Sequence, residues 1–481
     1  MRICCLPLDG RPCTALFPVQ YAAFCGAECV VPRPEEMDSF TSPALFEKTR
    51  AFLERELPAC EALALSVDHL CYGSLLASRE TTVTREEARR RLQWLEQLHT
   101  RYPDKPIHAF NVIVRVTTSA LSREDVDVYN AMIDYSYHAG RAAELGEGEG
   151  SEDLRLAETA RARIPAAVLQ SYRAMRERNH EVNALCIALT QKNVLSSLTL
   201  TMEDSAPYGF HRAEQKALQA LVRPGDPIVM RNGADEATAV AVMRAAARGR
   251  KTPLAVTWLG MGGDFIAKYE DRPFSRNLEA VFHELGIVID ETARQRLVIV
   301  TPPDGAQQEA AALRPSDAVD AMADAVDELT ERGNKVYLLD LLAANGGSMQ
   351  LMTALRHPEK LCGYSAWNTA TNAMGTLAAQ IVSDRLAGKA NALHRNERIL
   401  DDLFYQADFR QRVGDILERE GQDALHLANP VRAEALLRAM YDRSSAPLIK
   451  MCGSCSVSLP WPRIFEAKIL CHGKSAGPAI Y

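Results

Sequence analysis

The chain predicts an α/β fold built from repeated β/α units, closed like a TIM barrel or left open as a doubly wound parallel sheet, with a mostly helical C-terminal appendage. Three observations carry this. Short apolar runs of strand length recur along the chain, helical patterns with apolar residues at three- and four-residue spacing separate them, and the runs end abruptly in acidic or amide residues. In repeated β/α folds the ligand sits at the carboxyl edge of the strands, so residues at those ends are expected to converge on one cleft.

The expected strands fall near 2–9, 27–32, 61–68, 106–115, 198–204, 227–232, 253–260, 296–302, 335–341 and 362–367. Helical periodicity marks 88–99, 212–221, 237–247, 318–332 and 372–386 between them. Two stretches break the rhythm. Residues 122–183 read as an inserted helical hairpin around the acidic linker Gly146-Glu-Gly-Glu-Gly-Ser-Glu152, and 388–481 read as helical pieces before the Pro-rich Leu459-Pro-Trp-Pro-Arg463. The expected organisation is a catalytic domain over 1–387, carrying the insertion, and an appendage over 388–481.

Composition narrows the function classes. A net charge of −7 with 24% charged residues offers no basic surface for nucleic acid. No apolar run approaches the roughly 20 residues of a membrane helix and no signal-peptide pattern opens the chain, so a cytoplasmic protein is expected. Most of the twelve cysteines sit in apolar segments as reduced core thiols. Cys452-Gly-Ser-Cys455 has the spacing of half a zinc or redox site, but a thiol pair in a turn is the plainer reading. The Gly260-Met-Gly-Gly263 loop lacks the Lys-Ser/Thr of a P-loop and the spacing of a dinucleotide fingerprint, and no HExxH or GxSxG occurs. Neither cofactor nor metal is expected.

The candidate site residues come from the strand ends. LTLTMED closes on Glu203 and Asp204, with Tyr208 following; helix capping by Asp204 competes with a catalytic role. VMRNGADE carries Asp235 and Glu236, placed equally well to cap a helix or to bind substrate. VYLLD ends on Asp340, a carboxylate costly to bury unless paired, followed by Asn345 in a Gly-rich turn. GYSAWNTATN gives Trp367, Asn368, Thr369 and Asn372, a neutral, aromatic set that suits a sugar. Asp68, Tyr72 and Arg79 form a further group and Asp9 with Arg11 another, where an ion pair shaping the cleft competes with anion binding.

Five motifs in this order, LPLDGRP, SVDHLCYGSLLASR, EDSAPYGFHRAEQ, GADE and DLLAANGG with GYSAWNTATNAMGT, resemble the bacterial domain-of-unknown-function family 4127 over most of residues 1–385. Glu203-Asp204 stands where that family commonly shows Asp-Asp. A weaker resemblance is to barrel-type hexosaminidases, in which an acidic pair closes a barrel strand and drives substrate-assisted hydrolysis. The expectation is therefore a glycosidase acting on a small sugar or amino-sugar conjugate, with Asp204 as a catalytic carboxylate partnered by Glu203, Asp235, Asp68 or Asp340. The alternatives are a divalent-metal hydrolase or lyase using Asp9, Asp68, Asp204 and Asp340, and a non-catalytic sugar-binding protein.

Overall fold

The computed structural model describes residues 1–116 and 125–472. Residues 122–124 of the expected insertion and 473–481 of the expected tail lie outside the described residues. The chain divides into two compact units, Met1–Arg248 with Tyr269–Arg272, and Gly249–Lys268 with Pro273–Tyr481. This division falls well before the 387/388 boundary expected from the sequence.

The first unit holds six strands: β1 (Arg2–Leu6), β2 (Glu28–Val30), β3 (Ala62–Ser66), β4 (Ile107–Ile113), β5 (Ser197–Met202) and β6 (Ile228–Asn232). They form one parallel sheet in the order β2-β1-β3-β4-β5-β6. Every residue of β3 and β5 is buried, which is why these runs read as continuously apolar rather than alternating. Between β4 and β5 come three helices, Asp125–Leu145, Glu152–Arg161 and Ala166–Gln191, with a core of their own around Met132, Ala157, Leu169 and Tyr172. The acidic linker is the connection between the first two, and Ser151 ends it by accepting from the Leu154 amide as an N-cap.

The second unit holds β7 (Thr252–Leu259), β8 (Ile287–Ile289), β9 (Gln295–Val300), β10 (Gln308–Glu309), β11 (Lys335–Asp340), β12 (Ala343–Ala344), β13 (Gly363–Ser365), β14 (Cys455–Ser458) and β15 (Lys468–Cys471). Its main sheet is parallel, in the order β13-β11-β9-β7-β8. The C-terminal region is mostly helical, as expected, and one apolar core runs from Val298 and Leu338 of the sheet through Ile399, Leu403 and Leu437 to Ile469. The two short pairs, β10 with β12 and the β14–β15 hairpin, lie outside that sheet.

All ten expected strands and all five helical patterns have counterparts. Of the two expected architectures the chain adopts the doubly wound one; both sheets are open and no closed barrel forms among the described residues. Counting only the strands of each main sheet in chain order, the first sheet opens 2-1-3-4-5 and the second, read from β8, is 2-1-3-4-5. In such a sheet the chain reverses direction of winding between the first and third strands, and the crevice outside their carboxyl ends is the place for a ligand. Those ends are Leu6 and Ser66 in the first unit, and Leu259 and Val300 in the second.

Candidate functional site

The loop leaving β1 carries Asp9 and Arg11, and the turn leaving β3 carries Asp68 and His69, so both sides of the first reversal point are ionisable. Ser66 accepts from the His69 amide at 3.1 Å and starts the short helix Val67–Tyr72. The His69 ring reaches back to the Pro7 carbonyl at 2.8 Å and ties the two strand ends together. Burial holds this imidazole down to about 4.

Arg11 is clamped between two carboxylates: Nη2 lies 2.7 Å from Asp9 Oδ2 and 2.6 Å from Asp235 Oδ1. Thr14 donates to Asp9 Oδ1 at 2.9 Å. Burial opposes ionisation of Asp9, but the Arg11 guanidinium and these donors hold it below the usual carboxylate range. Asp235 is shifted the other way, upward, because burial outweighs its share of Arg11. Glu236 lies beyond, fully buried and paired with Arg231, with burial raising it to about 6. This cluster explains Asp9, Arg11, Asp235 and Glu236 as a network bracing β1 against β6's loop.

Asp68 differs in having no cation of its own. One oxygen accepts from the Val112 amide at 2.9 Å, while Oδ1 is buried without a hydrogen-bond partner among the described residues. Burial, with the charge of Glu203 adding to it, pushes this carboxyl up to about 8, so it keeps its proton at neutral pH. Glu203, at the end of β5, is paired with Arg79, and its Oε2 is likewise buried and unpartnered among the described residues. Asp204, the next residue, is about a third exposed and lies 3.4 Å from Arg115 at the end of β4. Arg115 also stands over the Tyr129 ring at 5.4 Å.

The helical insertion fixes these arginines. Arg176 donates to the carbonyls of Val114 and Arg115 at 3.2 and 2.7 Å and is neutralised by Glu214. Arg178 donates to Ser78, Glu80 and Val83 carbonyls and covers the Tyr72 ring at 4.3 Å, which sets the loop that carries Arg79. Tyr208 packs edge-on against Tyr137 of the insertion, 5.7 Å between centroids.

Sequence reasoning missed Arg115, His69 and Asp38. The signal for Arg115 was present, since the apolar NVIV run ends on it as the other strands end on carboxylates. Asp38 gave none: it sits in an irregular loop, and only folding buries it near Asp9, where burial first and that neighbour second push it well up. The Gly10 amide faces it without completing a well-formed hydrogen bond.

The remaining expected residues belong to the second unit. Asp340 is fully buried and accepts from the Leu342 and Ser348 amides at 3.2 and 2.6 Å and from the Tyr364 hydroxyl at 3.1 Å. A side chain at Gly347 would overlap that hydroxyl, so the Gly is required for the loop to pass it. Asn345 and Asn368 both adopt left-handed φ, 61° and 56°, which Asn tolerates better than other non-Gly residues. The Asn345 amide N–H donates to the Asn368 carbonyl at 2.8 Å, and its side chain donates to Glu309 at 2.9 Å. Trp367 is buried, with Nε1 donating to Thr376 at 3.3 Å; Thr369 caps the helix Ala370–Ala387 by position, and Asn372 lies buried in its first turn. At this unit's reversal point the Gly262 amide donates to Thr301 Oγ1 at 3.2 Å, and Gly260 approaches Thr301 too closely for any side chain.

No group of three or more His, Cys, Asp or Glu side chains arranged to hold a metal ion occurs among the described residues. Cys455 and Cys471 face each other across β14 and β15 with Cys452 nearby, all three thiols raised by burial. No helix among the described residues is long and apolar enough to cross a membrane.

No curated protein matches the chain. No solved structure matches it either, and the likeness to barrel-type hexosaminidases gains no support. A family model does match, over residues 3–470, nearly the whole length. The chain therefore belongs to the family described as Protein of unknown function (DUF4127).

Proposed function

We propose that the protein is a cytoplasmic acid/base hydrolase whose centre is the carboxyl edge of the first sheet, and that its reaction is cleavage of a glycosidic bond in a small sugar or amino-sugar conjugate. The observation that carries this is Asp68, a carboxyl that keeps its proton at neutral pH beside a carboxylate, Glu203, held by Arg79. A carboxyl that keeps its proton near an arginine-paired acidic side chain is the arrangement a general acid and its partner need. Asp68 would protonate the leaving oxygen, and its unpartnered Oδ1 is the atom left to do so. Glu203 or Asp204 would act on the opposite side as base or nucleophile. Twelve free cysteines suit a reducing compartment.

The test is turnover of aryl glycosides, N-acetylglucosaminides first, by the wild type, Asp68→Asn and Asp204→Asn. Loss of a general acid costs about 10²- to 10⁴-fold in turnover with the fold intact. Full activity in Asp68→Asn would remove it from the mechanism, and no cleavage of any glycoside by the wild type would remove the substrate class.

A further inference from the structure

The second unit contains a cavity of about 380 Å³ at the carboxyl end of β11, outside the acid pair assigned above. Its size falls in the range of small-ligand pockets, with room for about a dozen water-sized groups. Leu313, Met349, Leu403 and Ala407 supply an apolar wall.

The floor is fixed and several of its polar groups are already engaged. The Gly347 amide donates to the Asp402 carbonyl at 3.0 Å, and the Ser348 amide to Asp340 at 2.6 Å. Ser348 Oγ accepts from the Leu351 amide, and the Gln350 side chain is bonded to Ser316 and Asp320. A Cβ at Gly346 would lie 3.0 Å from both the Ala310 and Ala407 methyls, so these segments meet around a rigid turn. Of the two charged residues on the lining, Asp408 is paired with Arg412 at 3.0 Å. Arg314 pairs with no carboxylate among the described residues.

A preformed apolar cavity with one unneutralised guanidinium and few unengaged donors is matched to a ligand with a single anionic head and an apolar body. A polyol would find too few partners there for all of its hydroxyls. We infer that this cavity binds a small monocarboxylic acid, its carboxylate on Arg314 and its hydrocarbon against Leu403 and Ala407. The guanidinium fork fits a carboxylate through two parallel hydrogen bonds.

Calorimetric titration of the full chain with hexanoate and 3-phenylpropanoate, each against its neutral amide, tests this. At least one acid should bind one-to-one with a dissociation constant of about 1 mM or tighter, and its amide about tenfold more weakly. Arg314→Gln, at an exposed position, should weaken the acid about tenfold. Ala407→Phe, which fills the cavity, should abolish binding while the first variant guards against a fold that fails. Absence of binding by both acids at about 10 mM, or equal affinity for acid and amide, would overturn the inference. So would full affinity in Arg314→Gln. None of these outcomes depends on whether a glycoside is cleaved.

Discussion

Two sheets with the same opening strand order end in opposite chemistry. At the carboxyl edge of the first, three arginines meet Asp9, Asp235, Glu203 and Asp204 in ion pairs, and Asp68 stands among them without a cation. At the edge of the second, fully buried Asp340 is satisfied by two amides and a hydroxyl, and Asn345 and Asn368 shape the backbone around it. The topology supplies a crevice in both; the residues that close each strand decide whether protons can move there. Asp68 has a buried oxygen without a partner among the described residues, whereas Asp340, with three donors, holds a loop.

The comparison predicts its own largest effect at Asp68. Asp68→Asn should cost about 10²- to 10⁴-fold in turnover. In the wild type the same group should switch activity off as pH rises through about 8, where the proton leaves. The sign for stability follows from the same shift. A carboxyl raised from its ordinary range to about 8 binds its proton more tightly when folded, so its contribution is full below the unfolded value and is lost as pH climbs through about 8. Thermal melts of Asp68→Asn should lack that decline, which is complete once pH passes about 8; an identical decline in both proteins would place it elsewhere.

Next in size is Arg231→Leu. It removes the cation from Glu236 in a fully buried position, so that this side chain must either stay charged and unpaired or take up a proton, which should cost about 3–5 kcal/mol in denaturant unfolding. A change below about 1 kcal/mol would mean that water or another cation reaches Glu236.

Asp340→Asn sharpens the contrast between the sheets. An amide offers one acceptor oxygen where three donors converge, so stability should fall by about 1–3 kcal/mol. Turnover per folded molecule should stay within a few-fold of the wild type; a loss comparable to that of Asp68→Asn would make Asp340 part of the chemistry and erase the distinction.

The smallest effect is expected of Asn345→Gly. Glycine adopts the left-handed φ of 61° without strain but gives up the hydrogen bond to Glu309, so the net change should stay within about 1 kcal/mol. A melt shifted far outside that range would show that the side chain, and not the backbone conformation, fixes the turn.

The sequence determined the strands, the main helices and the edge on which polar residues gather. Each of these is local: apolar periodicity, a run of buried length such as ALALS, and an abrupt polar stop such as Asp68 or Asp340 are written in consecutive residues. It left open whether the sheet closes, because strand order depends on pairings between distant segments, such as Ile3 with Ala62. It also could not rank the carboxylates. Asp9, Asp68 and Asp340 look alike as strand-end acids, yet one is clamped by Arg11, one is left protonated and one is sealed by amides. Arg178 reaching Ser78 across a hundred positions, and Asp38 buried near Asp9, belong to the same class. A side chain's charge state is set by what surrounds it in three dimensions, through desolvation and the placement of partners, and only the tertiary structure decides that.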